Sequence, residues 1–413
     1  MIILNIKTYS SLIRIAMGGL ILIIASCQSS QKLGTSHRPV HQTDEVWQAS
    51  HLAGFENKIE LLRKRYHIPG LSVGIVNEKK LVWKKGFGYA DIENKIVPDE
   101  NTVYQIASVS KTFASILLMQ LVEAGKVNLD DPILKYKIEL GARWGHDERI
   151  KVKHLLTHTA MGGTLNGFKP GYQFRYNGDW YNKLRQPIEQ ASGDGYGELL
   201  MRNIIVPLKL NNTVPSTGDT ASFNLTGYNM AEFMKKVARP YDWHDKQIVP
   251  ALHFSYGFGP AAGIMSTVAD LAIYSVAIDE GMFLKPETWE KIFTPFVTPR
   301  GKTIQYGLGW FVKNYKDVKV LWHTGWWFGY SALFIKIPEK DLTFIALANS
   351  QDLSRPFYIT NLFSLLNPFR KNLNKKITAS RFAKAFIEYF GRRTASVRST
   401  ISILGVACRL LHV

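Results

Sequence analysis

Two residues able to do covalent chemistry together stand three positions apart in Ser108-Val109-Ser110-Lys111. At that spacing the two side chains share one face of a helix, so an amine can reach a hydroxyl. A serine hydroxyl is a weak nucleophile until a neighbouring base takes its proton. A lysine depressed by burial can be that base. If the helix begins here, its first N–H groups also offer positive potential to a developing oxyanion. The tetrapeptide alone is weak evidence. The same spacing recurs in Ser29-Ser30-Gln31-Lys32, and a serine at a helix start also serves as a cap. Two further groups strengthen it: Tyr176-Asn177-Gly178, and His323-Thr324-Gly325 at the end of an apolar run. A polar side chain beside a glycine on a strand lets a substrate backbone lie against a sheet edge, as an added strand would.

The elements that must hold these groups are legible from periodicity. Residues 55–65 have helical spacing, broken by Pro69-Gly70. Residues 71–76 and 80–84 read as strands around a turn at 77–79, and 86–90 continue extended. A strongly apolar helix runs from Ser108 to a stop at Gly125, and another from Val268 to Gly281. Residues 318–322, 330–337 and 342–348 read as three strands, the last two joined by a turn at 338–341. Strands near both ends and helices between them predict an α+β fold: an antiparallel sheet flanked by helices, plus an all-helical lobe.

Taken in order, S-x-x-K, then Tyr, then His-Thr-Gly resembles the serine β-lactamase and penicillin-binding-protein family, in its class C β-lactamase-like branch. The resemblance continues through residues 68–76 (IPGLSVGIV), 104–112 (YQIASVSKT), 154–159 (HLLTHT), Pro170-Gly171, 263–271 (GIMSTVADL), 306–310 (YGLGW) and 323–349. It implies that Ser108 is acylated and that Lys111 and Tyr176 share the base and acid work. It implies an oxyanion hole from the backbone N–H groups of Ser108 and Trp326. His323 and Thr324, beside Gly325, would orient the substrate. Two departures stand out: Gly178 replaces the usual amide donor, and His323 replaces a lysine. Both point away from efficient β-lactam hydrolysis and toward esters, D-amino-acid amides or D-peptides. Trp180, Tyr181, Trp326, Trp327 and Phe328 would wall an apolar cleft. His154 and His158 have the spacing of a metal pair, but the family resemblance makes them structural and no third ligand is evident. Neither metal nor cofactor is expected. Asp270 reads as a helix-start residue, and Gly257-Phe258-Gly259 is too short for a phosphate loop.

Composition narrows the remaining classes. The 413 residues are 46% hydrophobic and 20% charged, an ordinary globular balance. Two cysteines, Cys27 and Cys408, exclude a disulfide scaffold and a thiolate-rich zinc site. The net charge of +18 falls mostly outside the middle of the chain: +10 lies in residues 354–413 and +2 in residues 1–26. A nucleic-acid partner would need the excess on the folded core, so none is expected. Lys7 and Arg14 precede twelve mostly apolar residues, too few to span a bilayer. They end in Ile24-Ala25-Ser26-Cys27, which resembles a bacterial lipobox. The expected order is therefore a lipoprotein signal (1–26), a polar tether (27–50), the hydrolase domain (51–355) and a basic tail (356–413).

The tail has two accounts: a basic segment on an anionic membrane surface, or a terminus from a shifted reading frame. On either account, removing residues 366–413 should leave hydrolysis intact. The function expected is a serine hydrolase exported to the bacterial cell envelope and anchored to the membrane through acylated Cys27. It would act through an acyl-enzyme on a small-molecule or peptide substrate. The competing expectation is a non-catalytic envelope binding protein that keeps the fold.

Overall fold

The computed structural model describes residues 49–140, 148–160, 169–253, 258–315, 318–358 and 376–391. Cys27, Ser29, Lys32, Gly257, the signal segment and all of the tether but its last two residues lie outside the described residues. Of the residues before Gly54 and after Arg393, only 49–53, at the start of α1, are described.

The elements that build the site's frame, in chain order, are α1 (Ala49–Arg65), β1 (Gly70–Asn77), β2 (Lys80–Gly88), α2 (Ser110–Glu123), α3 (Val152–Leu156), α4 (Gly178–Asn182), α5 (Val268–Asp279), β3 (Phe311–Tyr315), β4 (Val318–Trp327), β5 (Tyr330–Ile337), β6 (Leu342–Ala348) and α6 (Arg381–Phe386). The strands form one antiparallel sheet in the order β2-β1-β6-β5-β4-β3. N-terminal strands thus lie beside C-terminal ones, with Leu71 opposite Ala348 and Val73 opposite Ala346. The α+β class expected from the sequence is the fold observed.

Strands β1, β5 and β6 are buried at every position, because helices cover both faces of the sheet. On one face, Thr343 of β6 bonds Ser275 of α5, and a Cβ on Gly74 of β1 would lie 2.4 Å from Val268. On the other, Phe344 packs edge-on to Phe55 of α1 and stacks on Phe386 of α6, with ring centroids 6.2 and 4.9 Å apart. Phe390 completes that layer, 4.9 Å from Phe55.

This second layer includes residues that lie past the domain end expected at 355. Residues 376–391 do not trail away. Ser380 caps α6, and Phe382, Phe386 and Phe390 are buried at successive turns. Removing everything after 365 would uncover Phe55 and Phe344, so such a cut should destabilise the fold and with it lower hydrolysis. Beyond Gly391 the chain lies outside the described residues.

Helix α2 is buried on all sides, from Ser110 to Met119. It stops where the sequence indicated. Gly125 turns left-handed at φ +69°, and the Gly125 and Lys126 N–H groups donate to Val122 and Leu121 carbonyls. Helix α5 starts on Thr267, which accepts the Asp270 N–H at 3.1 Å. The Asp270 carboxylate accepts from the Asn212 N–H and the Thr213 hydroxyl, so it ties a loop to the helix start. No helix among the described residues is long and apolar enough to cross a membrane.

Candidate active site

The chain enters the site through Ala107–Val109, one turn of 3-10 helix that runs straight into α2. Ala107 sits in the left-handed region at φ +46°, a conformation that costs about 1–2 kcal/mol in a residue with a Cβ. Neighbours on both sides hold it there. The Ile106 N–H donates to the Ile264 carbonyl at 3.0 Å. Gly325 of β4 lies so close that a Cβ on it would come within 2.2 Å of the Ile106 carbonyl. Only glycine allows the strand to approach the nucleophile's backbone this closely. Ser108 follows directly, 9% exposed.

Lys111 is fully buried, one turn along. Its Nζ lies 3.0 Å from Ser108 Oγ and 2.9 Å from the Ala261 carbonyl. No carboxylate among the described residues touches it; the charge of Asp179 acts on it only from a distance. Burial therefore dominates and pulls the amine down to about 7, with Asp179 opposing. Near neutral pH a large fraction of Lys111 is free amine, which can accept the Ser108 proton.

The groups that hold Lys111 were not assigned that role from the sequence. The Ala261 N–H donates to Asn182 Oδ1 at 3.0 Å, so the last residue of α4 fixes the carbonyl that Lys111 meets. Gly259 permits this turn. It has φ +146°, and a Cβ there would sit 2.6 Å from the same Asn182 oxygen. The Tyr181 hydroxyl donates to the Lys111 carbonyl at 3.1 Å. Tyr181 is fully buried, so it backs the lysine rather than walling the cleft. The visible signals were the glycines of the 306–310 and 258–263 loops. Their partners are distant in sequence and include main-chain oxygens, which no residue type advertises.

Tyr176 precedes α4, and its ring centroid is 5.0 Å from Lys111 Nζ. Asn177 caps α4 by accepting the Trp180 N–H at 3.0 Å. Gly178 opens the helix, and a Cβ there would meet nothing within 4 Å. No steric demand keeps this position glycine.

The residues of β4 divide by face. His323 is fully buried. Its Nδ1 donates to the Thr324 carbonyl at 2.8 Å, and its Nε2 accepts from the Tyr306 hydroxyl at 3.1 Å. Burial, with the Lys111 charge adding, pushes it down to about 3, so it is neutral across the physiological range. Both ring nitrogens are engaged inside the protein. The Thr324 hydroxyl meets Ser354 Oγ at 2.6 Å and the Ala332 carbonyl at 3.2 Å, which pins β4 to β5 and the chain after β6. The substrate-orienting roles expected of these two side chains are thus occupied by internal bonds. Trp326 and Trp327 are half-buried at the end of β4, and Phe328 is 51% exposed in the following turn. The histidine pair also divides. His154 Nδ1 accepts the Lys151 N–H at the start of α3, a structural task. His158 instead lies among Tyr176, Tyr181 and Tyr306.

The sequence matches the family described as Beta-lactamase over residues 55–365. It is 23% identical over 367 residues to Protein flp of Staphylococcus aureus, covering 81% of this chain and 70% of that protein. Among solved structures it resembles an octameric penicillin-binding protein homologue from Pyrococcus abyssi, with 26% identity, a TM-score of 0.64, and coverage of 78% of this chain and 79% of that one. A D-stereospecific amidohydrolase from Streptomyces sp. shares the fold at 22% identity and a TM-score of 0.58, over 72% of this chain and 94% of that one. The family match takes in Ser108, Lys111, Tyr176 and His323 and most of the chain around them, and the protein therefore belongs to the Beta-lactamase family, the serine-hydrolase-like group that includes the penicillin-binding proteins.

Proposed function

We propose that the protein is an active serine hydrolase working through an acyl-enzyme on esters or D-amino-acid amides, with β-lactams as poor substrates. The observation that carries this is the contact of 3.0 Å between Ser108 Oγ and an amine that burial brings to about 7. A binding protein needs no such poised base. In the proposed course, Lys111, with Tyr176, removes the Ser108 proton as Oγ adds to the substrate carbonyl. The Ser108 and Trp326 N–H groups receive the oxyanion. The leaving group departs with the proton, and water then releases the acyl group by the same steps.

The substrate preference rests on the two departures from the family pattern. Neutral, internally bonded His323 supplies no cation for a β-lactam carboxylate, and Gly178 supplies no amide. Turnover of p-nitrophenyl esters, D-amino-acid amides and nitrocefin compares the classes directly. Nitrocefin cleaved faster than every ester and amide would overturn the preference. The cleanest added test is Gly178→Asn, since its side chain has room, and it should raise β-lactam acylation relative to ester turnover. His323→Lys is less suited, because it would bury a second cation beside Lys111. Labelling by a fluorophosphonate at Ser108, absent in Ser108→Ala, separates the enzyme from a non-catalytic binder.

We further propose export and anchoring through acylated Cys27, supported by Ile24-Ala25-Ser26-Cys27. Cys27→Ser should leave membranes on a carbonate wash. Retention of that variant would contradict the anchor.

A further inference from the structure

We infer that His158 is a positioning residue for Tyr176, holding the tyrosine's loop from both sides through its own carbonyl and ring. The inference rests on the proposed role of Tyr176 and adds to it. The His158 carbonyl accepts the Arg175 N–H at 2.7 Å, and His158 Nδ1 accepts the Asn177 N–H at 3.2 Å. The backbone amides just before and just after Tyr176 are thus bound by one residue. The imidazole also packs on the Tyr176 ring, centroids 4.2 Å apart at 36°. His158 reaches both amides because its backbone is left-handed, at φ +54°. That conformation is uncommon for residues with a side chain, although histidine and asparagine enter it more readily than most.

The ring's protonation state follows from the geometry. Nδ1 faces an N–H donor, so it carries no proton, and the hydrogen of the neutral ring is on Nε2. Nε2 is buried without a hydrogen-bond partner among the described residues. The ionisable groups facing the ring are Lys111 of α2, His323 of β4, and Tyr176, Tyr181 and Tyr306. Burial first, then the positive charge of Lys111, holds the imidazole far below its ordinary range. The clamp stays neutral wherever Lys111 works as a base. An orphaned buried N–H is destabilising. The same ring spends its Nδ1 on the Asn177 N–H, the bond that holds the loop.

Displacing a catalytic group by about 1 Å can cost about 10²-fold in rate. His158→Phe keeps the ring and deletes the acceptor. It should lower kcat on a p-nitrophenyl ester by about 10–100-fold while KM stays within about threefold. His158→Asn returns an acceptor near the Nδ1 position and suits the left-handed backbone, so it should restore most of the lost kcat. His158→Gln carries the acceptor one bond too far and should stay as low as His158→Phe. It also serves if the phenylalanine variant does not fold. In a Tyr176→Phe background, His158→Phe should add less than about threefold, because the clamp acts through the tyrosine. Independent, multiplying losses would overturn the inference. So would folded asparagine and glutamine variants that are equally impaired. If Tyr176→Phe alone leaves turnover unchanged, the proposed mechanism fails and takes this inference with it. If Tyr176→Phe is impaired and folded His158→Phe or His158→Gln is not, only this inference fails.

Discussion

Among the described residues two lysines are buried completely, and they differ in everything but burial. Lys111 on α2 meets a serine hydroxyl and one carbonyl. Lys336 on β5 reaches the Asp279 carboxylate at 2.8 Å, the Thr343 hydroxyl at 3.1 Å, and both the carbonyl and the hydroxyl of Ser275. Desolvation lowers both amines. At Lys336 the Asp279 charge and hydrogen bond oppose it, and at Lys111 only the distant Asp179 does. Burial alone therefore does not make a base. A lysine given a carboxylate and several acceptors is a rivet between helix and sheet. One given only neutral partners beside a hydroxyl is poised for proton transfer.

The sharpest way to break that comparison is to delete each amine in turn. Lys111→Ala should lower ester turnover by about 10²–10⁴-fold, the usual worth of general acid–base catalysis. Lys336→Met should leave kcat within about threefold, since Lys336 bonds nothing at the site. Equal losses would end the distinction.

Stability should move in opposite directions. Lys336→Met strands Asp279 in a partly buried position and should cost up to about 3 kcal/mol in denaturant unfolding. Lys111→Met removes a cation that has no carboxylate in contact and should be neutral or stabilising by about 1–2 kcal/mol. Destabilisation by both would mean that the two amines are held alike.

The pH dependence sharpens the same point. On the acid side, kcat/KM should rise through a midpoint near 7 as Lys111 loses its proton. Between that pH and the ordinary lysine range the unfolded chain binds the extra proton. The Lys111 contribution to stability therefore increases with pH across that window and is flat below it. The smallest effect expected is from Asp179→Asn. The exposed Asp179 charge raises the Lys111 pKa, so its loss should lower the activity midpoint by roughly a few tenths of a pH unit, less at high salt.

Much of this was legible in the sequence, and the reasons for the rest are specific. The strands β1, β5 and β6 and the helices α2 and α5 are strongly apolar, periodic and punctuated by glycine, so their places could be read directly. Ser108 and Lys111 were readable because local helix geometry joins them. Asn182 and Ala261 were not assigned and His158 was read only as structural, because their roles come from backbone atoms or from partners far along the chain. Lys111 and Ala261 are 150 residues apart. Strand β4 runs five residues past the expected end at 322, through His323, Thr324 and Gly325 to Trp327, because polar residues and a glycine masked its continuation. The segment 376–391 was missed although Phe382, Phe386 and Phe390 repeat every four residues. Arg381 and Lys384 among them gave the stretch the look of a basic tail.

The sheet order has a consequence for how the protein comes into being. The Gly70 N–H closes on the side chain of Asn349, 279 residues away, and β1 has no second neighbour until β6 joins it. At roughly 5–20 residues per second on the ribosome, the β1–β2 hairpin waits tens of seconds with an apolar edge unpaired. Loop closure over that span is also entropically late. The nucleophile turn, which needs Gly325 and Ile264 beside it, can form only after that seam is reached. Newborn chains should pass through a long-lived, aggregation-prone stage without a working site, and a holding chaperone would matter most at that stage.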